Sequence, residues 1–310
     1  MRNIACPECH QPAMDGGTRL YSVTSGGEGS FEAIICNLCG NIYTYWNADL
    51  NIQDYYDSRD YTVRNTSKSI FFRIQEFEYK KVLGWIKKLS IKPPITLLDF
   101  RAGKGVFLHI AQESGFDVKG VETSIPRANF GREQYGLTID TREYSSGRIF
   151  DQRFDVITSI HVFEHIPGAS HLMIELIAGN LNDQGICMFE VPNISSWQSV
   201  WAKDSWMHLD MPRHINHFTP EKFKSFLEDA GLGIVRTSYF SWHMGVIGML
   251  QSILHFFGYN GFIIGDIKQI KSRLWLVLPI LVMLPFAIIL EAVSSIFKSG
   301  GVVRYYAVRK

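Results

Sequence analysis

The sequence lacks a surplus of charge of either sign. It has 31 lysines and arginines against 30 aspartates and glutamates, so the formal net charge of the 310-residue chain is +1. Nucleic-acid-binding domains commonly carry a basic excess, so we expect no nucleic-acid partner. The chain has no internal repeat. Its 46% apolar and 20% charged residues are those of an ordinary globular protein, with room for one large domain or two smaller ones.

Cysteine is scarce and odd in number. Five cysteines cannot form a complete disulfide framework, and residues 1–7 contain no apolar stretch of the kind that begins a signal peptide. We therefore expect a protein of the reducing cytoplasm. Cys187 falls in a predicted strand and is expected to be a buried apolar residue.

The other four cysteines form two Cys-x-x-Cys pairs. They are Cys6, Cys9, Cys36 and Cys39. Two such pairs offer four thiolates to one tetrahedral ion, and the glycine-rich turn at residues 25–30 predicts a hairpin between them. We predict a structural zinc ribbon over residues 1–45, with disulfides or a redox pair as alternatives. We expect metal loss to unfold the ribbon and to spare the rest of the chain.

The central part lacks the Gly-x-Gly-x-x-Gly turn of a dinucleotide site. Instead an apolar run ends in Asp99, a turn with Gly103 and Gly105 follows, and a helical pattern begins at Val106. This order predicts a strand, a tight turn and a helix. An acid ahead of the glycines suits a cofactor with an ammonium group and no phosphate. The next predicted strand ends in Glu122, where a carboxylate can accept hydrogen bonds from both hydroxyls of a ribose.

Strand and helix patterns alternate from here to residue 230. Alternation of this kind predicts an α/β fold with a mostly parallel sheet and helices on both faces. Ligands of such sheets lie at the carboxyl ends of the strands, so this rim should carry Asp99, Glu122, His161 and either Glu190 or Asn193. Residues 46–90 are expected to form a bridge, either as a cap over the cofactor or as a connecting helix.

The stretch from Asp99 to Gly105 resembles motif I of class I S-adenosylmethionine (SAM) methyltransferases. Arg101 stands where that family has its first glycine. The resemblance extends over roughly residues 90–240 and is to the methyltransferase 23 and 11 families. It implies a Rossmann-like, seven-stranded domain over residues 91–240 that residues 300–310 complete. It also implies that SAM is bound by eleven residues: Asp99, Phe100, Arg101, Ala102, Gly103, Gly105, Glu122, Thr123, Asp140, Ile160 and His161.

Two further segments carry candidate catalytic residues. His161, Glu164 and His165 share one face of a helical turn, where they could hold an acceptor hydroxyl, serve as a base or bind a divalent ion. Alternatively, Glu164 and His165 only brace the loop. The segment resembles His-Val-Leu-Glu-His of methyltransferases from polysaccharide and lipid-sugar pathways. It is also similar to the Glu-x-x-Glu-His segment that binds a divalent ion in ubiquinone-pathway O-methyltransferases, which implies a second metal at Glu164 and His165.

The loop at residues 206–220 carries Arg213, His214 and His217. It resembles the Leu-Asp-x-Pro-Arg-His-x-x-His-Phe-Thr-Pro segment of the same family, and we predict that it faces the substrate. The alternative is a hydrogen-bonded structural loop. His161 or His165 is the predicted base, because histidine titrates near neutral pH.

A long apolar run occupies residues 274–290, which contain no charged side chain. Its length is near the lower limit for a spanning helix. Because residues 302–308 are a predicted strand of the same sheet, we predict instead a monotopic helical hairpin over residues 241–299 that contacts a membrane through residues 243–297. An oligomer interface and a buried helical pair are the alternatives, and homo-oligomerisation stays open.

Together these features predict a SAM-dependent methyltransferase on the inner face of the cell membrane. Its predicted acceptor is a hydroxyl of a lipid-linked sugar or another amphipathic molecule. One alternative is an rRNA methyltransferase with a zinc ribbon, which the +1 net charge does not favour. The other is a membrane-bound interaction protein whose methyltransferase fold has lost its catalytic activity, an alternative that Arg101 would favour.

Overall fold

The computed structural model describes residues 5–12, 18–25, 29–46, 70–89, 94–268 and 274–310. Residues 47–69 of the predicted bridge and residues 26–28 of the predicted hairpin turn lie outside the described residues. The strands are β1 (Arg19–Ser25), β2 (Gly29–Ile35), β3 (Ile42–Tyr45), β4 (Ile95–Phe100), β5 (Phe116–Val121), β6 (Ile139–Asp140), β7 (Phe154–Ile160), β8 (Leu181–Pro192), β9 (Asn216–His217), β10 (Leu232–Ser238) and β11 (Val302–Arg309). The helices are α1 (Ile70–Leu89), α2 (Val106–Glu113), α3 (Ile125–Tyr135), α4 (Ala169–Asn180), α5 (Trp197–Ala202), α6 (Pro220–Asp229), α7 (Gly245–Phe256), α8 (Ile263–Lys268) and α9 (Val277–Ile296).

The central sheet has seven strands in the order β10-β11-β8-β7-β4-β5-β6. Strands β6, β5, β4, β7 and β8 are parallel, whereas β11 runs antiparallel to both of its neighbours, β8 and β10. The predicted Rossmann-like α/β fold is therefore confirmed, including the final strand that inserts between β8 and β10.

Neighbouring residues of the strands face opposite sides of this sheet. Leu97 contributes to the core beneath α1, α2 and α3, while Leu98 contributes to the core beneath α4 and α6. Both residues are fully buried. The near-continuous apolar strands of the sequence follow from this arrangement, because helices cover both faces of a parallel sheet.

The cysteine ribbon contains the hairpin of β1 and β2, with β3 paired antiparallel to β2. A fourth strand, β9, comes from the loop at residues 206–220 and pairs with β3. Side chains of both parts form one apolar core, listed here: Ala33, Ile42, Ile194, Ala202, Trp206 and Leu209. The ribbon thus packs directly on the central domain.

Three helices, α7, α8 and α9, occupy the apolar region between β10 and β11. Most of α7 is buried, and its apolar side chains pack with α9 around Ala287. On its other side α9 leaves a row of large apolar side chains exposed. Among the described residues, the stretch Leu274–Ile296 is one helix long and apolar enough to cross a membrane by length and composition.

Candidate active site and ribbon junction

The turn between β4 and α2 adopts left-handed backbone conformations at three positions. The φ angles are 62° at Arg101, 58° at Gly103 and 75° at Gly105. A Cβ atom at Gly105 would lie 2.5 Å from Cδ1 of Leu137, and the left-handed φ of 75° also favours glycine at this position. A Cβ atom at Gly103 would meet nothing within 4 Å, so the space above that residue is open. At Arg101 an L-residue in this region costs about 1 kcal/mol or more.

Glu122 fixes the shape of this turn from the end of β5. Its Oε2 accepts a hydrogen bond from the Gly103 amide (2.8 Å), and its Oε1 accepts one from the Ser124 amide (2.7 Å). The carboxylate is buried. Each oxygen has a second lone pair, so the oriented carboxylate retains acceptor capacity for a ligand hydroxyl.

Asp99 lies at the end of β4, next to Thr158 of β7. The Thr158 hydroxyl donates to Oδ1 of Asp99 over 2.7 Å. Burial raises the pKa of Asp99 to about 7, and the nearby charge of Glu122 acts in the same direction, although the Thr158 hydrogen bond opposes it. A buried carboxyl with this pKa is poised to ionise when a cation binds beside it.

Other predicted cofactor residues lie along the same rim, and several of their side chains already bond to other groups or are buried in the core. The Arg101 guanidinium donates to the Thr123 hydroxyl. Asp140 pairs with Arg142, whose Nη2 lies 2.6 Å away, and this hydrogen bond lowers the pKa of Asp140. Phe100 is fully buried with its ring against Tyr144, so its side chain belongs to the core and only its backbone borders the turn.

His161 follows β7 and lies between two buried carboxylates. Its Nε2 is 3.1 Å from Oε1 of Glu190, and its Nδ1 is 3.3 Å from Oε1 of Glu164. Burial alone would lower the pKa of His161, but the two carboxylates outweigh it and raise the pKa to about 10. An imidazolium has no lone pair with which to accept a proton. This geometry argues against the predicted base role of His161.

A chain of buried charges connects His161 to helix α1. Arg304 of β11 forms ion pairs with both Glu190 and Glu78 and donates a hydrogen bond to Glu78 over 2.5 Å. Glu78 also pairs with Nδ1 of His243 over 2.6 Å. Despite burial, these partners hold the pKa of Glu78 well below its usual range. An arginine within the apolar strand β11 is the sequence signal for this row of buried charges, and the sequence-based predictions did not use it.

Glu164, His165 and His214 converge on one point. One ligand atom from each lies within 4.8 Å of the others. Nδ1 of His165 lies 2.9 Å from the Arg213 carbonyl, and Nδ1 of His214 lies 2.8 Å from the His208 carbonyl. Each Nδ1 therefore donates, so in the neutral form of each ring the lone pair is on Nε2.

Glu164 itself is 1% exposed. Its contact with His161 has the distance of an ion pair without the geometry of a hydrogen bond, so neither carboxylate oxygen has a hydrogen-bond partner among the described residues. Glu164 and His214 line a small cavity together with Trp206 and Asn216. A buried carboxylate without donors is costly, and such a group commonly marks a place where a ligand binds.

Two predicted catalytic residues, Arg213 and His217, form contacts that hold the loop in place. Arg213 forms an ion pair with Asp210, with Nε 3.0 Å from each carboxylate oxygen. Nε2 of His217 lies 2.9 Å from the Thr44 hydroxyl of the ribbon, and burial lowers the pKa of His217 to about 3. His217 lines the same cavity as Glu164, but this bond ties its ring to β3. The loop is therefore both hydrogen-bonded and, through His214, part of the cluster.

The four N-terminal cysteines form a second group whose sulfur atoms lie within 4.8 Å of one another. The distances are 3.6 Å between Sγ of Cys6 and Cys39 and 3.5 Å between Sγ of Cys9 and Cys36. Tetrahedral zinc with bonds of about 2.3 Å separates its sulfur ligands by roughly 3.8 Å. The donor set and its spacing therefore fit one zinc ion.

Comparisons with known proteins show the family and the fold of the central domain. A family model described as a methyltransferase domain matches residues 74–237, more than half of the chain. The ubiquinone biosynthesis O-methyltransferase of Paramagnetospirillum magneticum is 25% identical over 150 residues, which are 45% of this chain and 60% of that protein. The chain thus matches less than two thirds of that curated relative.

Two solved structures share the fold. Magnesium protoporphyrin IX methyltransferase from Synechocystis PCC 6803 with bound SAH gives a TM-score of 0.50 at 14% identity, over 84% of this chain and 98% of that one. Geranyl diphosphate C-methyltransferase from Streptomyces coelicolor A3(2), in complex with Mg²⁺, geranyl diphosphate and S-adenosyl-L-homocysteine, gives 0.51 at 14% identity, over 77% and 81%. At these identities the likeness concerns the fold alone.

Proposed function

The chain belongs to the methyltransferase-domain family, and we propose that it transfers the methyl group of SAM to an oxygen of an amphipathic acceptor, such as a lipid-linked sugar, at a membrane surface. The observation that carries this proposal is the cluster of Glu164, His165 and His214, of which Glu164 and His214 are buried and His165 is half-buried. It lies beside His161, at the same rim as the motif I turn and Asp99.

The residues of the rim fit SAM. Asp99 would accept the ammonium group of the methionine portion, and Glu122 would accept the ribose hydroxyls with lone pairs that Gly103 and Ser124 leave available. The open space above Gly103 allows a ligand to approach the backbone of the turn. SAM supplies an activated methyl group on a sulfonium, and the protein must align the acceptor oxygen opposite the sulfur.

The acceptor must lose its hydroxyl proton as the oxygen–methyl bond forms. The carbon–sulfur bond breaks at the same time, and its electron pair stays on sulfur. We assign the proton to Nε2 of His165, whose Nδ1 is fixed as a donor by the Arg213 carbonyl. His161 would remain protonated and hold Glu164 in place.

The same cluster supports a divalent cation as an alternative to direct proton transfer. Glu164, His165 and His214 bring one carboxylate and two imidazole rings to a common point, and such convergence is favourable when a positive charge lies between them. Both imidazoles are oriented by backbone carbonyls, as metal-binding histidines commonly are. A bound cation would polarise the acceptor oxygen and lower the pKa of its hydroxyl.

The amphipathic character of the acceptor rests on helix α9. An 18-residue window of the stretch Leu274–Ile296 has a mean hydropathy of 2.6 and is 17% buried. Its exposed face is uncharged: Leu278, Leu281, Val282, Phe286 and Ile289. The opposite face is attached to the domain, because Glu291 accepts hydrogen bonds from Gln198 (2.6 Å) and from the Gly301 amide (3.0 Å).

We propose that this face contacts a lipid surface with the helix lying in the plane of the interface. The neighbouring helix α7 packs against the protein, and β11 returns to the sheet directly after α9. Both connections therefore stay on one side of the membrane. Basic residues occur at both ends of the apolar stretch, at positions 271, 273 and 298, and suit anionic lipid headgroups.

The function is tested with methyl-labelled SAM and a detergent-dispersed polyprenyl-linked sugar, with the free sugar in parallel. We expect label on the lipid-linked sugar. His165→Gln should lower the rate by about 10²-fold or more, because general bases contribute that much. His171→Gln, at an exposed histidine of α4, is the matched control and should leave the rate unchanged.

Binding of Mn²⁺ separates the two roles of the cluster. If the cluster holds a cation, the wild type should bind Mn²⁺, and Glu164→Gln should abolish binding while Glu143→Gln, at an exposed glutamate, should not. Equal binding by all three would remove the cation alternative. SAM binding without labelled product from either sugar would refute the acceptor class, and no SAM binding would refute the activity.

A further inference from the structure

A short segment of the acceptor loop lies between the cysteine ribbon and the turn that carries Glu164. The backbone of Ile215 contacts both sides: its N–H donates to the Glu164 carbonyl over 2.7 Å, and its carbonyl accepts from the Thr44 amide over 2.9 Å. Strand β9 continues the contact with β3 by pairing His217 with Ile42 and Asn216 with Tyr43. The ribbon therefore reaches the candidate site through one strand.

Side chains reinforce this junction. The Thr44 hydroxyl donates to the His214 carbonyl over 2.5 Å and lies 2.9 Å from Nε2 of His217, which must then be the donor in that second bond. Asn41 donates to the side chain of Asn216 (3.0 Å), and Asn216 donates to the Ile166 carbonyl (2.7 Å). These groups are buried, so each lost bond leaves a polar group without water.

The two cysteine pairs also contact helices that border the site. Glu8, within the first pair, accepts hydrogen bonds from the Ala169 amide (2.7 Å) and the Ser170 hydroxyl (2.5 Å) at the start of α4. Lys222 of α6 donates to the Cys39 carbonyl of the second pair (3.0 Å). Helix α4 follows the Glu164 turn within a few residues, so both ends of that turn are in contact with the ribbon or its partner strand.

We infer that the cysteine ribbon positions the acceptor site. With its metal bound, strand β3 holds the loop at residues 206–217 in the position that brings His214 to Glu164. Thr44 is the principal positioning residue. This inference rests on the proposed function, because it assigns the ribbon to the acceptor side of that site. It differs from the sequence-based expectation that metal loss spares the central domain.

The physical reason is the small size of the ribbon. A segment of about forty residues buries too little apolar surface to fold alone, and a structural metal commonly supplies the missing free energy. Without the metal, β3 would no longer be held in its extended conformation, and β9 would lose β3, with which it pairs at the edge of the ribbon sheet. His214 would keep its bond to the His208 carbonyl but would no longer be fixed against the Glu164 turn.

Hydrogen exchange of the full chain tests the inference, with zinc content measured by elemental analysis. Cys36→Ser should lose zinc and raise exchange of the amides in residues 206–217 by about 10²-fold or more. Amides of β4 and β7 should keep their protection. Chelation of zinc from the wild type, followed by its return, should reproduce the change and reverse it, which covers the case in which Cys36→Ser does not fold.

Thr44 variants separate positioning from general stability. Thr44→Val should retain one zinc per chain, raise exchange at residues 214–217 about tenfold and shift the ring nitrogen signals of His214 in an NMR spectrum. Thr44→Ser keeps the hydroxyl and should restore both. Thr18→Val makes the same chemical change at an exposed threonine of the ribbon and should alter neither.

Unchanged protection of residues 206–217 after zinc loss would overturn the inference, as would a Thr44→Val protein with wild-type His214 signals. Neither measurement uses an acceptor or SAM. A protein that fails to bind SAM but shows the expected exchange pattern would refute the proposed function and leave the link between ribbon and loop intact.

Discussion

We predict that the buried carboxyl of Asp99 makes SAM affinity depend on pH. Burial raises the pKa of Asp99 to about 7, so below neutral pH the free protein holds a proton on this group. If Asp99 accepts the SAM ammonium group as proposed, that proton must leave on binding. Affinity should therefore rise with pH up to about 7 and level off above it.

The magnitude follows from the displacement of one proton. Between pH 5 and 7 each unit changes the binding constant about tenfold, or roughly 1.4 kcal/mol, so the dissociation constant should fall by about 10² over this range. An α-amino group has a pKa near 7.7–8.0, so the ligand stays cationic throughout. Affinity should decline again only when that group loses its proton.

The same pKa has a consequence for the free protein. Because the folded pKa lies above the ordinary value near 4, the folded state holds this proton more tightly than the unfolded state does. The stability that Asp99 contributes is therefore full below about pH 4 and is lost as pH rises toward 7, by up to about 1.4 kcal/mol per unit. Asp99→Asn should remove this dependence from urea unfolding curves.

Titration calorimetry in buffers of different ionisation enthalpy measures both affinity and proton release. The wild type should release close to one proton per SAM at pH 5.5. Asp99→Asn should release none and should bind more weakly at pH 7.5, by about 1.5–3 kcal/mol for the lost charged partner. Asp117→Asn, at an exposed position of β5, is the matched control. A flat wild-type affinity from pH 5 to 7 would refute the assignment of Asp99.

Three further outcomes are expected. In urea unfolding, Arg101→Gly should be about 1 kcal/mol more stable than Arg101→Ala, since both lose the Thr123 contact and only glycine removes the left-handed strain; equal stability would show that no strain is present. Glu122→Ala should weaken SAM binding in calorimetry by about 1.5–3 kcal/mol, and wild-type affinity would contradict the ribose assignment. Phe286→Asp should abolish flotation with anionic vesicles while Ile174→Asp on α4 should not, and flotation of both would place the membrane contact elsewhere.

Local patterns in the sequence determined the elements and their chemistry. The two cysteine pairs, the acid and glycines of the β4–α2 turn, and Glu122 at the end of β5 each depend on residues that are close in the chain. The structure places all of them as the spacing predicts, because a tight turn or a metal knuckle is formed by neighbouring residues. The apolar final strand was recognisable for the same reason.

The tertiary structure alone decided which of the candidate side chains lie close to one another. His161 is a predicted base, but it lies between Glu164 and Glu190 of the adjacent strand, and these two carboxylates raise its pKa to about 10. His217 and His214 appeared equivalent in the sequence, yet one is bonded to Thr44 and the other faces Glu164. A protonation state depends on burial and on charges brought together in space, and no local pattern contains either quantity.

The junction of ribbon and loop is a second feature that local sequence patterns do not reveal. Thr44 and His214 are separated by 170 positions in the chain, and strand β9 consists of two residues, which is too short for any periodicity to reveal. It pairs with β3, and the residue before it, Ile215, has backbone partners on both sides. Sequence determined the ribbon, the turn and the helices, whose hydrogen bonds are mostly local. Folding determined how they meet, because those contacts join groups that only the packed chain brings within reach.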